Sequence, residues 1–354
     1  MSHLSHDQQA RVIACLVEGN SVRSTERLTG IHRDTILRHL LAVGEGCNRL
    51  HDALMRDLHV NLLEVDEVWS YLGKKQRRVR PEDPAEFGDQ YVFTALDATR
   101  KAIVSYAVGK RDSDTADAFA YDLRDRIANR PQISTDGFKP YLDALPRAFG
   151  GAVDHVVIVK EYGKEGDDET LRRYSPPKCI SMIKRRATGA AADMDRANTS
   201  YVERSNLTLR MGCRRFTRLT TGYSKRLKNH AAAVALSIAY YNFCRVHEAI
   251  RTAPAVALGV TDHVWTIAEL IDAALSIVPD DEPGPGPERA PAPAPVLTPP
   301  AAPAPLPALS LPILPTHVQR AAKLRQAIAV IQASAQLSLF AEGPAEATAA
   351  KAGG

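Results

Sequence analysis

The sequence predicts a mixed α/β domain, preceded by an all-α segment and followed by an extended Pro/Ala-rich tail. Three observations predict it. Between residues 61 and 162, β-branched and aromatic runs alternate with helix-period segments, the pattern of a sheet with helices on its faces. The first 45 residues show helical periodicity alone. Of the 23 prolines, 14 fall between Pro279 and Pro315, interleaved with Ala and Gly, and such a stretch cannot bury enough apolar surface to offset its ordering entropy.

In chain order, the N-terminal segment reads as three short helices. Residues 7–18 carry Val12, Ile13 and Leu16 and end at Gly19-Asn20. Ser21 or Ser24 can cap a second helix through Leu28, closed by a Thr29-Gly30 turn. A third runs from about Arg33 to Val43, with Ile36, Leu37, Leu40 and Leu41 inward and Arg33, Thr35, Arg38 and His39 outward. Helix, Gly-containing turn and helix is the helix-turn-helix pattern, and its second helix carries the basic and hydroxyl groups that groove reading needs. An ordinary three-helix bundle shares the pattern and stays open as the alternative.

The runs NLLEVDEVWSYLG (61–73), QYVFTALDA (90–98) and KAIVSYAVG (101–109) form an antiparallel meander. Residues 114–127 are helical, with Ala118, Phe119, Leu123 and Ile127 on one face. PQISTDG (131–137) is a short strand, residues 141–149 a helix and DHVVIVKEY (154–162) a fifth strand; long helices from Thr199 onward close the unit. This is the order of the ribonuclease-H-like fold, so a mixed five-stranded sheet with flanking helices is expected. The organisation follows: a helix-turn-helix domain over 1–58, an α/β domain over 59–276 with a probable insertion at 163–199, a disordered linker over 277–316 and a tail over 317–354. In the tail, Val318, Ala321, Leu324, Ile328 and Ile331 recur at helical spacing.

Charge placement narrows the function. The net charge is only +4, but residues 170–230 hold fifteen Lys/Arg against three acids, and no acid occurs between Arg204 and His247. A split of this kind marks a polyanion-facing surface, where a merely solvated helix face would mix signs. No apolar run reaches the roughly 18 residues of a membrane span, and the N-terminus lacks the pattern of a secretory signal. Five scattered cysteines make neither a disulfide framework nor a zinc pair. A cytoplasmic protein without membrane contact is expected.

Three acids stand out by position. Asp66 lies mid-strand in an apolar run, Asp136 ends the strand ISTD, and Glu203 lies in the helix SYVERSNLTLR with Asn206 and Arg210 at i+3 and i+7. A carboxylate in a central strand is costly unless compensated. Converging carboxylates repel unless a cation sits among them, and Mg²⁺ prefers such oxygen ligands. Two such ions, with Mn²⁺ as a substitute, would support in-line displacement at phosphorus. The structural alternative is that Asp66 ends a ladder and Asp136 starts a turn. Glu64 and Glu67 compete for the first position; strand alternation puts Glu64 on the face of Asp66 and Glu67 on the other.

The segments DEVWSYLGKK (66–75), YVFTALDATRKAI (91–103), STDGFKPY (134–141) and YVERSNLTLRMGCRRF (201–216) together resemble the insertion-sequence-one family of bacterial transposases, over roughly residues 62–245. The resemblance implies a ribonuclease-H-like DDE domain that cuts DNA at transposon ends and joins 3′-hydroxyls to a target. By it, Asp66 and Asp136 match the two aspartates and Glu203 the glutamate. The longer spacing across 163–199 leaves Glu161 or Glu169 as substitutes, and the cysteine pairs of the zinc finger often found in the family are missing.

On this reading the helix-turn-helix, through Arg33, Thr35 and Arg38, recognises terminal inverted repeats. Lys74, Lys75, Arg204, Asn206, Arg210, Arg214, Arg215, Arg218, Lys225, Arg226 and Lys228 track double-stranded DNA. Two DNA ends imply a dimer or larger assembly. Tyr241 and Phe243 read as packing, and His247 as a core or phosphate-contacting residue. In the tail, Gln336, Leu337, Ser338, Leu339 and Phe340 resemble the motif by which bacterial proteins dock on the replication sliding clamp, with the apolar side chains filling a pocket. Two other functions fit: a catalytically silent helix-turn-helix regulator, and a structure-specific nuclease on the same fold.

Overall fold

Three helices open the chain in a computed structural model that describes residues 4–162, 179–217 and 220–277: α1 (His6–Val17), α2 (Val22–Thr29) and α3 (Arg33–Leu54). Ser5 and Gln8 make a reciprocal capping box on α1, and Ser21 caps α2 by accepting from the Ser24 amide. Gly30, at φ +73°, supplies the left-handed residue that closes α2. Helix α3 does not stop near Val43 but continues to Leu54. Gly44 and Gly46 do not break it, because a helix-interior glycine costs only about 1 kcal/mol. Both face backbone of neighbouring helices.

Strands β1 (Leu62–Leu72), β2 (Gly88–Asp97) and β3 (Ile103–Gly109) form the expected antiparallel meander. Its second reversal is held by the Asp97 carboxylate, which accepts from the amides of Thr99 and Arg100. Helix α4 (Ser113–Arg126) is capped by Asp112, β4 (Gln132–Thr135) pairs parallel to β1, and α5 (Tyr141–Ala148) leads to β5 (Asp154–Tyr162), parallel to β4. The sheet has six strands rather than five. Strand β6 (Cys179–Thr188), from the segment read as an insertion, pairs antiparallel with β5, so the order is β3-β2-β1-β4-β5-β6. Lys184, Arg185 and Arg186 lie in it, and most of its residues are exposed. A charged edge strand of this kind has no alternating apolar face to reveal it.

Helices α6 (Ser200–Gly212), α7 (Leu227–Ala239), the short α8 (Pro254–Ala257) and α9 (Ile267–Ser276) follow. On one face of the sheet Phe93 packs against Phe119 of α4 and Tyr141 of α5, with ring centroids 5.9 and 6.3 Å away. On the other, α6 packs against β1 and β2. The N-terminal helices join the same compact unit: α3 lies along α7 and α9, and α1 packs on α9. Tyr241 and Phe243 are buried, as expected of packing residues, and His247 is half-buried. Among the described residues, no helix is long and apolar enough to cross a membrane. The linker, the tail helix and residues 336–340 lie outside the described residues.

Buried histidines give this core a pH dependence. His230 sits between the hydroxyls of Ser70 and Ser224, each 3.2 Å away, and burial pushes its pKa down to about 4. The folded imidazole therefore stays neutral at pH 5.5, where an unfolded one, with a pKa of about 6.5, is charged. Proton uptake by the unfolded chain lowers stability as pH falls from about 7 toward 4. Asp66, raised to about 7, acts in the opposite direction, so the contribution of His230 is isolated by difference. Between pH 7.5 and 5.5, wild type should lose about 1.4 kcal/mol more stability than His230→Gln. Urea unfolding at the two pH values checks this; equal losses would mean that His230 is not neutral in the fold.

Candidate active site

Strand β1 outruns β4. Val65, opposite Thr135, is the last residue of β1 paired with β4, and Asp136 follows β4 directly. Asp66 and Glu67 remain paired to Thr94 and Phe93 of β2 on one side, but on the other they lie at an open edge. As alternation predicts, the two side chains start from opposite faces. Asp66 turns toward α6, where its Oδ2 accepts from Asn206 Nδ2 at 2.8 Å. Thr94 Oγ1 braces that contact, 3.2 Å from the Asp66 carbonyl and 3.3 Å from Asn206 Oδ1. Glu67, its side chain 3% exposed, accepts from the Tyr141 hydroxyl and from Arg111 Nε at 2.9 Å.

With no strand alongside among the described residues, both faces open onto one notch. There, one carboxylate oxygen from each of Asp66, Glu67 and Asp136 lies within 4.8 Å of the others. Asp136 Oδ1 accepts from the Phe138 amide at 2.9 Å, and its Oδ2 faces Arg111 Nη2 at 3.4 Å. The Arg111 guanidinium in turn stacks 4.0 Å from the centre of the Phe138 ring.

Burial pushes the Asp66 carboxyl up to about 7, and the charges of Glu67, Asp136 and Glu203 push it the same way. Glu67 is also raised by burial, against the hydrogen bond from Tyr141. Clustered carboxylates held above their usual range are what a cation relieves. Three carboxylates at this spacing are the hard-oxygen donors that Mg²⁺ and Mn²⁺ take, so the residues present fit a divalent ion. Arg111 supplies positive charge there already. Arg111→Ala leaves the buried Glu67 and its neighbour Asp136 without it, at a cost on the order of 2 kcal/mol. In thermal melts with and without saturating MgCl₂, the variant should melt lower without metal and gain more from Mg²⁺ than wild type. An equal gain in the two proteins would mean that Arg111 and the ion do not share the site.

Glu203 stands outside this group. It lies in the first turn of α6, pairs with Lys160 of β5 and accepts from Thr199 Oγ1 at 2.9 Å. Glu64 is committed elsewhere. It is buried, and its Oε2 accepts from the amides of Tyr201 and Val202 at 2.8 and 2.9 Å, satisfying open donors at the start of α6. It is therefore the anchor of the helix that carries Glu203 and Asn206, not a free ligand. Asn206, expected on a DNA face, is only 4% exposed and points at Asp66.

The predicted basic residues gather on a second feature. A groove of about 830 Å³ is lined by Arg33 and Arg38 of α3 and by Arg215, Lys225, Arg226 and Lys228, with Arg23 of α2 added. Leu37 and Leu41, expected to be core, are half-buried and line this groove. Arg214 lines an adjoining cavity of about 550 Å³. Thr35 is half-buried beside Arg38, Lys75 and Arg204 are exposed, and Arg210 is half-buried. Lys74 is held by Asp83 at 2.6 Å, and Arg218 lies outside the described residues. The segment after the groove joins the sheet: Leu72 at the end of β1 bridges to Ser224, and Tyr71 stacks on Tyr223 at 4.8 Å. Arg111 and Tyr141 carry no signal of such a role in the sequence; Arg111 stands just before the cap of α4 and Tyr141 at the start of α5.

No protein-family model matches the sequence, and no curated protein does. Among the solved structures that are similar in part are two transposase complexes. One is a piggyBac transposase synaptic complex with hairpin DNA, 12% identical over 72% of this chain and 56% of that one, with a TM-score of 0.28. The other is the Mos1 transposase paired-end complex with the left transposon end, 12% identical over 42% and 58%, with a TM-score of 0.18. The chain thus aligns with a little over half of each. At these scores neither likeness carries a functional reading, which stands on the residues of this chain.

Proposed function

We propose that the protein is a metal-dependent DNA strand-transfer enzyme, a DDE transposase of a bacterial insertion element. The observation that supports this best is the pairing of two features on one strand. At one point of β1 the carboxylates of Asp66, Glu67 and Asp136 converge; farther along, β1 meets the segment that lines a groove of seven cationic side chains.

In this reading Arg33 and Arg38 enter a DNA groove from α3, while Arg215, Lys225, Arg226 and Lys228 hold the phosphates beside it. The phosphate contacts make binding fall steeply with salt. Asp66, Glu67 and Asp136 would hold the divalent ions. Such ions, when bound, polarise the scissile phosphate and activate a water or 3′-hydroxyl. Asn206 and Thr94 fix the orientation of Asp66, Tyr141 and Arg111 that of Glu67, and the Phe138 amide that of Asp136. Glu203 acts beside this group, near enough for its charge to act on Asp66. Two DNA ends call for two such sites, so a dimer or larger assembly on DNA belongs to the proposal. Docking of residues 336–340 on a sliding clamp is a separate proposal, to be tested by loss of clamp pull-down in Phe340→Ala.

The test uses a supercoiled plasmid carrying the repeats that flank the gene, incubated with the full chain and Mg²⁺ or Mn²⁺. Cleavage at the repeat ends followed by joining is the expected result. Cutting without joining would identify a nuclease, and repeat binding without cutting a silent regulator; either would overturn the proposal.

A further inference from the structure

A row of aromatic side chains links the two features. Trp69 and Tyr71 alternate with Glu67 on the same face of β1. Trp69 lies 5.8 Å from Tyr71, and Tyr71 lies 4.8 Å from Tyr223, with interplanar angles of 36° and 30°. Tyr91 stands opposite Trp69 on β2. Farther back on this face Phe93 is sealed by Phe119 and Tyr141, but Trp69, Tyr71, Tyr91 and Tyr223 are half-exposed. The row starts two residues from the carboxylates and ends at Tyr223, which lines both cationic cavities. From Glu67 to Tyr71 is about 13 Å along the strand.

Half-exposed rings in a row, beside a positively charged cavity, make a surface for a polyanion that itself carries flat apolar groups. Every nucleobase has such a face, and stacking on an aromatic side chain is tolerant of sequence. Paired bases inside a duplex do not offer their faces; unpaired ones do. We propose that Trp69, Tyr71 and Tyr223 form a stacking platform for unpaired bases of a DNA strand passing between the cationic groove and the carboxylates. This deepens the DNA-processing reading and rests on it for its placement. Its measurement needs no cleavage, so the two can fail separately.

The protein reports on this site itself. It contains two tryptophans. Trp265 is 3% exposed and stacked on Phe243 at 4.9 Å, so a ligand-dependent change in emission comes from Trp69. The full chain in EDTA is titrated with a short thymidylate oligonucleotide and with an abasic strand carrying the same number of phosphates. Thymidylate should quench Trp69 and bind about tenfold tighter than the abasic strand. Tyr71→Ala and Tyr223→Ala should lose about that factor for thymidylate and none for the abasic strand, and Tyr71→Phe should restore it. Equal binding of the two strands with unchanged emission would overturn the proposal. So would Tyr71→Ala altering only the sedimentation coefficient, which would make this face a contact between copies of the chain.

Discussion

Asp66→Asn and Asp136→Asn should each leave repeat binding intact and lower Mg²⁺-dependent cleavage by about 10³-fold or more, roughly 4 kcal/mol of barrier. Asparagine keeps the shape of each side chain and its ability to accept a hydrogen bond, so Asn206 and the Phe138 amide retain their partners. What is lost is the negative charge that a divalent ion needs. The proposed binding surface is the groove lined by Arg33, Arg38, Lys225, Arg226 and Lys228, which neither substitution touches. Metal binding and cleavage together separate the two glutamates. Glu67 belongs to the converging group, so Glu67→Gln should weaken Mg²⁺ binding to the free protein, measured by titration calorimetry. Glu203 is held by Lys160 and Thr199, so Glu203→Gln should leave that binding unchanged while lowering cleavage more than tenfold. Cleavage at wild-type rates by Asp136→Asn would remove the notch from the chemistry. Unaltered Mg²⁺ affinity in Glu67→Gln would return the third position to Glu203.

The contrast between Glu67 and Glu203 shows what a single sequence carries and what it does not. Asp66 and Asp136 were legible because a carboxylate is conspicuous in an apolar strand or at its end. The face of Glu67 was legible as well, since strand alternation is strict. Its convergence with Asp66 was not, because it depends on β4 ending at Thr135 and opening the edge of β1, a matter of strand register. Lys160 holds Glu203 through a pairing that no local spacing encodes, and Asn206 shares a face with Glu203 yet turns to Asp66. Strands β1, β2 and β3 follow from apolar and aromatic runs that bury at least one face. Strand β6 escaped because it is an exposed, cationic edge. Helix α3 runs eleven residues past the expected end near Val43, and its glycines, Gly44 and Gly46, are the points at which other helices touch it.

Those glycines carry the second large effect. A Cβ on Gly44 would lie 2.3 Å from the carbonyl oxygen of Ala232 in α7, and one on Gly46 would lie 2.3 Å from that of Ala274 in α9. Both obstacles are backbone, which no rotamer change can move aside. Alanine is favoured over glycine inside a helix by about 1 kcal/mol, so propensity alone predicts that Gly44→Ala stabilises. The contact predicts the opposite: α3 and α7 must part, and the packing lost along both helices outweighs the propensity gain. A net destabilisation of about 3 kcal/mol is expected, seen as a lower urea midpoint. The effect reaches the groove, because its walls are the N-terminal half of α3 and residues 225–229 at the start of α7. Moving the helices apart separates Arg33 and Arg38 from Lys225 and Lys228. Gly44→Ala should therefore also reduce the salt dependence of DNA binding, as fewer phosphates are contacted at once. An unchanged or higher urea midpoint would show that α3 is not seated on α7 through Gly44. A lower midpoint with an unchanged salt slope would show that the two walls bind DNA independently.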